Sequence, residues 1–300
     1  MNCRYTHHPK AVDRRQFLAH VAAAAAGTGL FGPALEAAQK AAGARSWRLR
    51  LSTSSIQFMS LPIEAACERI AALGFEAIDI WSAHEGCPHL DDVAKRLGPD
   101  GLRELLAKHR LKLYAFSVYA GGCAKYAELL GKAGGGVAIQ GSAAPCPPNE
   151  LSAKMRAFLE GLKPLVDLAA QNNSCLAIEN HGQALLDSLD SFKAFVDLNK
   201  SPRLGLALAP YHLQSIKASV EEAIGICGPQ LFFFYAWQNQ PGVGQLPGHG
   251  PADFKPWLAA LAKANYKWYV NPFMHGHPEP EAMSAALAKA RDYLRSLAPA

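Results

Sequence analysis

The sequence lacks the signatures of several common enzyme and binding classes. It contains no P-loop, no GxSxG elbow and no HExxH helix, so a hydrolase with a serine nucleophile has no support. It also has no run of lysine or arginine with interleaved aromatic residues, the pattern that nucleic-acid binding would need. No GxGxxG turn follows the first predicted strand, which weighs against an open, doubly wound sheet.

Cysteine pairs with a recognisable spacing are also missing. The seven cysteines are scattered, with no CxxC pair and no zinc-like spacing. Cys123 and Cys146 follow two successive predicted strands and could meet in a disulfide. Buried free thiols are the preferred interpretation.

The first 44 residues have the features of an export signal. The segment Asp13–Leu18 resembles the twin-arginine motif, and an Ala- and Gly-rich run from Ala19 to Phe31 follows it. That run is too short, and its side chains are too small, for it to span a membrane. Ala42–Ala44 is a candidate cleavage site. The alternative is a cytoplasmic protein with a disordered N-terminus.

We therefore expect two parts in the chain. Residues 1–44 would be removed after export by the twin-arginine machinery, and residues 45–300 would form one domain in the periplasm or outside the cell, without a stable membrane anchor. The removed part carries five basic and two acidic residues, so the formal charge falls from +5 to +2. A domain so close to neutral offers no electrostatic case for nucleic acid.

Eight strand-like segments alternate with helical patterns in residues 45–300, which predicts a parallel sheet. Eight such units in about 250 residues indicate a single-domain α/β fold, a closed (β/α)8 TIM barrel. The predicted strands are Leu51–Gln57, Ala77–Trp81, Lys112–Val118, Gly136–Gln140, Cys175–Glu179, Leu204–Ala209, Leu231–Ala236 and Trp268–Pro272. Predicted helices include Ile63–Leu73, Asp91–His109, Leu151–Ala170, Ser188–Leu198, Ala252–Ala264 and Glu281–Leu297.

The fifth strand ends in the most informative residues of the chain. Glu179, Asn180 and His181 follow an apolar run at the carboxyl end of a strand, where parallel α/β proteins place their sites. Alternation along the strand points Leu176 and Ile178 outward and turns Glu179 into the barrel. A carboxylate there is costly unless it is paired, metal-bound or catalytic. A structural ion pair is the alternative, although no basic residue ends a neighbouring strand.

These features resemble the xylose isomerase-like sugar phosphate isomerase/epimerase barrels. The leader, the eight repeating units, the Glu-Asn-His ending and the Leu73–Ile80 segment carry the resemblance, which extends from Arg48 to about Leu297. It implies a divalent cation held by a Glu, an Asp, a His and a Glu on strands five to eight, with both Glu residues moving protons. Such a cation polarises a carbonyl and an adjacent hydroxyl together.

The sequence departs from that pattern at three of the four positions. Glu179 matches the first ligand, but Ala209 stands where the Asp is expected and Tyr235 where the His is expected. The eighth strand and the loop after it, residues 269–277, contain no Glu. A substitute site from Glu179, His212 and His275, joined by His181 or His277, would favour zinc over manganese or magnesium. A divalent metal therefore stays an open possibility.

Histidines and aromatic residues also gather after strands five to eight. Histidine can relay protons or bind sugar hydroxyls, and sugars stack their apolar faces on aromatic rings. We expect catalytic roles for Glu179, His212 and His275. We expect substrate contacts from Asp79, Trp81, His181, Tyr235, Trp237, Gln238 and His277. His249 is interpreted as a loop residue, while His84 and Glu85 could contact a ligand or form a solvated loop.

The function expected from these residues is that of an exported, carbohydrate-active enzyme. Glu179 would remove a proton next to a carbonyl, with histidine assistance, in isomerase, epimerase or lyase chemistry. The alternative is a barrel that binds a sugar or a partner protein without catalysis, since three expected ligands are missing. Phosphodiester cleavage is a weaker option, because the related endonuclease barrels need an even richer metal cluster.

Overall fold

Eight parallel strands form the centre of the protein. The computed structural model describes residues 47–298, so the proposed signal at residues 1–44 lies outside the described residues. Each strand pairs with the next in chain order, and a bridge between Leu51 and Val270 joins the first strand to the last. The predicted TIM barrel is therefore confirmed. The strands are β1 (Ser52–Ser54), β2 (Ala77–Trp81), β3 (Lys112–Ser117), β4 (Val137–Gly141), β5 (Cys175–Glu179), β6 (Leu204–Leu208), β7 (Leu231–Ala236) and β8 (Val270–Pro272).

Helices lie between the strands. The predicted helix at residues 91–109 is interrupted by a wider helical turn at Val93–Leu97, and Gly98 follows that turn with a positive φ of 63°. The helices are α1 (Ile63–Ala72), α2 (His89–Asp92), α3 (Gly98–Lys108), α4 (Gly122–Lys132), α5 (Leu151–Gln171), α6 (Leu189–Leu198), α7 (Pro210–Ser215), α8 (Val220–Cys227), α9 (Lys255–Lys263) and α10 (Pro280–Leu297). None of the helices in residues 47–298 is long and apolar enough to cross a membrane.

Strand alternation separates two apolar layers. Outward side chains such as Ile78, Leu176 and Ile178 pack with the helices. Inward side chains such as Ala177 and Phe233 fill the barrel itself. Both layers are almost fully buried. The polar side chains at the carboxyl ends of the strands are therefore mounted on a rigid base.

One glycine permits close packing of strands β6 and β7. A Cβ atom at Gly205 would stand 2.5 Å from the carbonyl oxygen of Gln230 and 2.6 Å from the ring of Phe232. Any larger residue at this position would push the two strands apart.

The cysteines of the described region are free thiols. Cys123 is buried, Cys146 is half-buried, and neither is joined in a disulfide. Burial raises the pKa of the Cys123 thiol to about 11, so this side chain stays protonated at neutral pH. The preferred interpretation from the sequence, free thiols, agrees with the structure.

Candidate active site at the carboxyl end of the barrel

Glu179 ends strand β5 and faces the barrel interior with only 8% of its surface exposed. Its Oε2 accepts a hydrogen bond of 2.5 Å from the hydroxyl of Tyr119. The pKa of Glu179 is raised to about 7, chiefly by burial; the Tyr119 hydrogen bond opposes the shift, and the nearby Asp79 adds to it. None of the ion pairs between described residues involves Glu179, so the structural ion pair considered from the sequence is absent.

A pair of tyrosines extends the polar group around Glu179. The hydroxyls of Tyr119 and Tyr235 lie 3.0 Å apart, and Tyr235 is 1% exposed at the end of β7. Burial, followed by the negative charge of Glu179, raises the pKa of both phenols well above the usual range. Both tyrosines are therefore neutral hydrogen-bonding groups at physiological pH.

Asp79 lies on β2 and forms a second buried carboxylate. Its oxygens accept hydrogen bonds from Ser54 Oγ at 2.7 Å, from Ser117 Oγ at 3.0 Å and from Trp81 Nε1 at 2.6 Å. The side chain has no exposed surface, and burial raises its pKa to about 7 despite these hydrogen bonds. Because Asp79 has no exposed surface, its contact with a substrate stays a prediction.

Aromatic rings pack together near the two carboxylates at the mouth of the barrel, where the carboxyl ends of the strands meet. Trp81 stacks on Phe273 with ring centroids 5.2 Å apart, and it also packs against Tyr119 at 5.1 Å. Tyr235 packs against the edge of Phe273 at 5.2 Å. The mouth is therefore rich in aromatic side chains close to Glu179, the residue type on which sugar rings stack.

His275 lies at the rim beside Glu85. Its Nδ1 is 2.8 Å from Oε1 of Glu85, although the two groups are not aligned for a hydrogen bond, and His277 Nε2 is 3.1 Å from Oε2 of the same carboxylate. Burial lowers the pKa of His275, while Glu85 acts in the opposite direction. Glu85 thus connects the loop after β2 with the loop after β8.

His212 lies on the other side of the mouth, in α7. Its ring is 4.1 Å from that of His181, and it packs edge-on against Trp237 at 5.3 Å. Burial, and then the nearby imidazoles, lower the pKa of His212 to about 3, so this ring is neutral at physiological pH. Tyr211 stacks on Trp237 with centroids 4.3 Å apart.

Gln238 and His249 have structural partners. Gln238 Nε2 donates to the carbonyl of Leu246 at 3.0 Å, and its Oε1 accepts from the backbone N–H of Ala252 at 2.9 Å. His249 Nε2 bonds to the carbonyl of Ala286 at 3.0 Å, as expected for a loop histidine. Both polar groups of Gln238 therefore hold the loop after β7, and its contact with a ligand stays a prediction.

The structure brings together part of the predicted site. Glu179, Asp79, Trp81 and Tyr235 lie in one buried group with Tyr119. The other predicted residues, His181, His212, Trp237, His275 and His277, line the rim. Among the described residues, no hydrogen bond or ion pair joins Glu179 to a histidine.

The partners of two important residues, Tyr119 and Glu85, were not predicted from the sequence. Tyr119 follows the inward-facing Ser117 by two positions, so strand alternation alone would have turned it toward Glu179. Glu85 was expected either to contact a ligand or to form a solvated loop. Its pairing with His275 and His277 had no signal in the sequence, because Glu85 lies in a loop with a left-handed φ of 51°.

The residues present do not fit the cation site that the family resemblance implies. The positions of the expected ligands hold Glu179, Ala209 and Tyr235, and the polar side chain on β8 is Asn271. Between residues 47 and 298, no three His, Cys, Asp or Glu side chains lie close enough to hold a metal ion. Glu179, His212 and His275 therefore do not converge as substitute ligands.

The sequence matches the family described as xylose isomerase-like TIM barrels over residues 67–297, so the chain belongs to this family. No curated protein sequence matches the chain. The family assignment agrees with the resemblance inferred from the sequence.

Several solved structures share the fold at low sequence identity. A D-psicose 3-epimerase with D-tagatose from Clostridium cellulolyticum H10 is 14% identical, with a TM-score of 0.66 over 84% of this chain and 100% of that one. A 3-keto-D-glucoside 4-epimerase from E. coli is 15% identical, with a TM-score of 0.63 over 82% and 100%. A xylose isomerase-like TIM barrel/4-hydroxyphenylpyruvate dioxygenase fusion protein is 18% identical, with a TM-score of 0.63 over 83% of this chain but only 42% of the fusion protein. At these identities, the similarity shows the fold alone.

Proposed function

We propose that this protein is a carbohydrate-active enzyme of the isomerase/epimerase type, in which Glu179 removes a proton next to a carbonyl. The observation that carries the proposal is a buried, inward-facing carboxylate whose pKa is raised to about 7 and which has no cationic partner among the described residues. A general base is most effective when its pKa lies near the working pH. The epimerases among the solved relatives act on sugars by their printed names, which agrees with this class of substrate.

The histidines at the rim would assist as neutral groups. His212 has its pKa lowered to about 3, and the pKa of His275 is also lowered, so neither imidazole carries a proton to give away at neutral pH. A neutral imidazole N–H can still donate a hydrogen bond to an oxyanion or to a sugar hydroxyl. Trp81, Trp237 and Phe273 would hold the apolar face of the sugar.

A binding barrel without catalysis is the second candidate function. The observation that favours it is the loss of three of the four expected metal-binding residues, at Ala209, Tyr235 and the eighth strand. A fold by itself does not establish an activity. In this case the aromatic side chains would bind a sugar or a partner, and Glu179 would be only a polar contact.

Solvent-deuterium exchange distinguishes the two functions. The purified protein is incubated in heavy water with a panel of keto-sugars, and deuterium at the carbon next to the carbonyl is followed by NMR or mass spectrometry. Exchange above the protein-free rate supports the enzyme. A sugar that raises the melting temperature without any exchange supports the binding barrel instead.

Removal of metal ions is expected to leave the exchange rate within about twofold of the untreated protein. The reason is that the described residues provide no group of three ligands for a cation, and polydentate carboxylate and imidazole sites are what hold such ions. The measurement compares rates before and after treatment with a chelator, with metal content measured in both samples. A loss of more than tenfold that returns on adding one particular ion would contradict this expectation.

Export by the twin-arginine route is part of the same proposal. It rests on Arg14 and Arg15 in the N-terminal segment and on the apolar run after them. Replacing both arginines by lysine is expected to keep a tagged chain in the cytoplasm with its N-terminal segment uncleaved, whereas the unaltered chain reaches the periplasm. Cell fractionation and mass spectrometry of the N-terminus measure both outcomes. Equal amounts of both chains in the periplasm would contradict the route.

A further inference from the structure

Two tyrosine hydroxyls form a directed chain that ends on Glu179. A phenol has a single proton to donate. Tyr119 lies 2.5 Å from Oε2 of the carboxylate and donates its proton there. The hydrogen bond of 3.0 Å between the two hydroxyls must then have Tyr235 as donor and Tyr119 as acceptor. The direction of both bonds is fixed as long as Glu179 is ionised.

Both hydroxyls stay protonated while they do this. Tyr119 is half-buried against Trp81, and Tyr235 is buried against Phe273. Burial and the charge of Glu179 both disfavour a second anion in this site. The tyrosines are therefore suited to donate hydrogen bonds, but not to give up a proton completely.

We infer that Tyr119 is a catalytic residue. Its hydroxyl donates a hydrogen bond first to ionised Glu179 and then to the negatively charged oxygen of the substrate, and Tyr235 is the positioning residue that orients this hydroxyl. This inference rests on the proposed function. It deepens that function by naming the group that stabilises the oxyanion, in a site whose residues do not fit a cation.

The step balances in protons and electrons. The carboxylate of Glu179 takes the proton from the carbon next to the carbonyl. The electron pair of that C–H bond forms a C=C bond, and the carbonyl π pair moves to the oxygen. The substrate becomes an enediolate, and this oxygen is its oxyanion. Glu179 is now a neutral acid that no longer needs the hydrogen bond of Tyr119. That hydroxyl can turn to the new oxyanion, and reprotonation at carbon by Glu179 reverses the flow.

The net charge of the site is unchanged by this step. One negative charge lies on Glu179 before the proton transfer and on the substrate oxygen after it. A donor already present in the site therefore serves the anion at both positions, without bringing in solvent. Preorganised donors of this kind reduce the cost of charge development in the transition state.

Three tyrosine-to-phenylalanine variants test the inference. Tyr119→Phe and Tyr235→Phe each remove one hydroxyl of the chain. Tyr114→Phe is the matched control, because Tyr114 is another buried tyrosine inside the barrel whose hydroxyl bonds to the Phe232 carbonyl at 2.6 Å and to Tyr266 at 3.0 Å. The readouts are kcat and KM for deuterium exchange and the NMR signal of the hydrogen-bonded phenol proton of Tyr119.

The expected results differ between the variants. Loss of one oxyanion donor lowers kcat by about 100-fold for Tyr119→Phe, with KM changed less than kcat. Tyr235→Phe is expected to lower kcat by about tenfold, less than the loss of an oxyanion donor itself because Tyr119 is retained, and to shift the Tyr119 proton signal. The control keeps its rate within about twofold and leaves that signal in place.

Failures of the inference and of the proposed function can be told apart. If Tyr119→Phe exchanges deuterium at the wild-type rate, the inference is overturned while the proposed function stands. If Tyr235→Phe leaves both kcat and the Tyr119 proton signal unchanged, the positioning role is overturned. If the wild type shows no exchange with any sugar, the proposed function is overturned, and the catalytic role of Tyr119 falls with it.

Discussion

Replacing Glu179 by glutamine is expected to reduce deuterium exchange by about 1,000-fold, within the range that positioned general bases contribute. Glutamine has nearly the same shape, and its oxygen can still accept the hydrogen bond from Tyr119. It cannot accept a proton from carbon. The fold and the aromatic side chains should therefore be retained while the proton transfer is lost. The assay is the same exchange measurement, with the Kd for the sugar measured separately.

The matched control for this variant is Glu160→Gln. Glu160 is an exposed residue of α5 whose ion-pair partner within residues 47–298 is Lys163, so its replacement should leave the exchange rate unchanged. Tight sugar binding by Glu179→Gln without exchange would assign the carboxylate to chemistry. Full exchange by this variant would mean that Glu179 is not the base, and the rim histidines would be the next residues to test.

The second large effect concerns the pH dependence of stability at Asp79. The folded-state pKa is about 7, above the usual value near 4, so the folded protein binds a proton more tightly than the unfolded chain. Stability from this group is therefore greatest at low pH and is lost as the pH rises from about 4 through 7. A pKa difference of this size lowers the free energy of unfolding by about 3 kcal/mol as the pH rises from about 5 to about 8.

Asp79→Asn should remove that loss. An asparagine oxygen can accept from Ser54 and Trp81 at the position of Oδ2, while its amide donates to Ser117 Oγ. The free energy of unfolding of the variant minus that of the wild type should therefore increase by about 3 kcal/mol as the pH rises from about 5 to about 8. Urea unfolding at both pH values measures the difference.

His212 changes the pH dependence of the free energy of unfolding in the opposite direction. Its lowered pKa, about 3, gives stability that is present above the usual histidine value and is lost as the pH falls below it. This contribution is common to the wild type and to Asp79→Asn, so it cancels in the comparison. If the difference in free energy of unfolding between Asp79→Asn and the wild type is the same at both pH values, Asp79 does not titrate in this range.

The two carboxylates are connected by charge as well as by position. Asp79 is one cause of the raised pKa of Glu179. Removing its charge in Asp79→Asn should therefore lower the pKa of Glu179 and shift the pH profile of exchange toward acid. The buried network of Ser54, Ser117 and Trp81 around Asp79 thus supports the base without contacting it.

Much of the fold could be predicted from the sequence. Strands β2, β5 and β7 have the predicted bounds, because parallel strands that are buried on both faces appear in the sequence as nearly continuous apolar runs. The first and last strands are shorter than predicted, at Ser52–Ser54 and Val270–Pro272. A helical turn at Ser55–Phe58 follows the first strand, and local composition does not distinguish that turn from further strand.

The sequence by itself determined the barrel, its membership of the family and the inward direction of Glu179, because alternation along a strand fixes which side chains face the interior. Only the tertiary structure decided the partners of that carboxylate. Tyr119 is 60 residues away in sequence from Glu179, and Glu85 is 192 residues away from His277. Such contacts depend on the register of strands across a closed sheet and on loop conformation, and neither is written in the local pattern of residues.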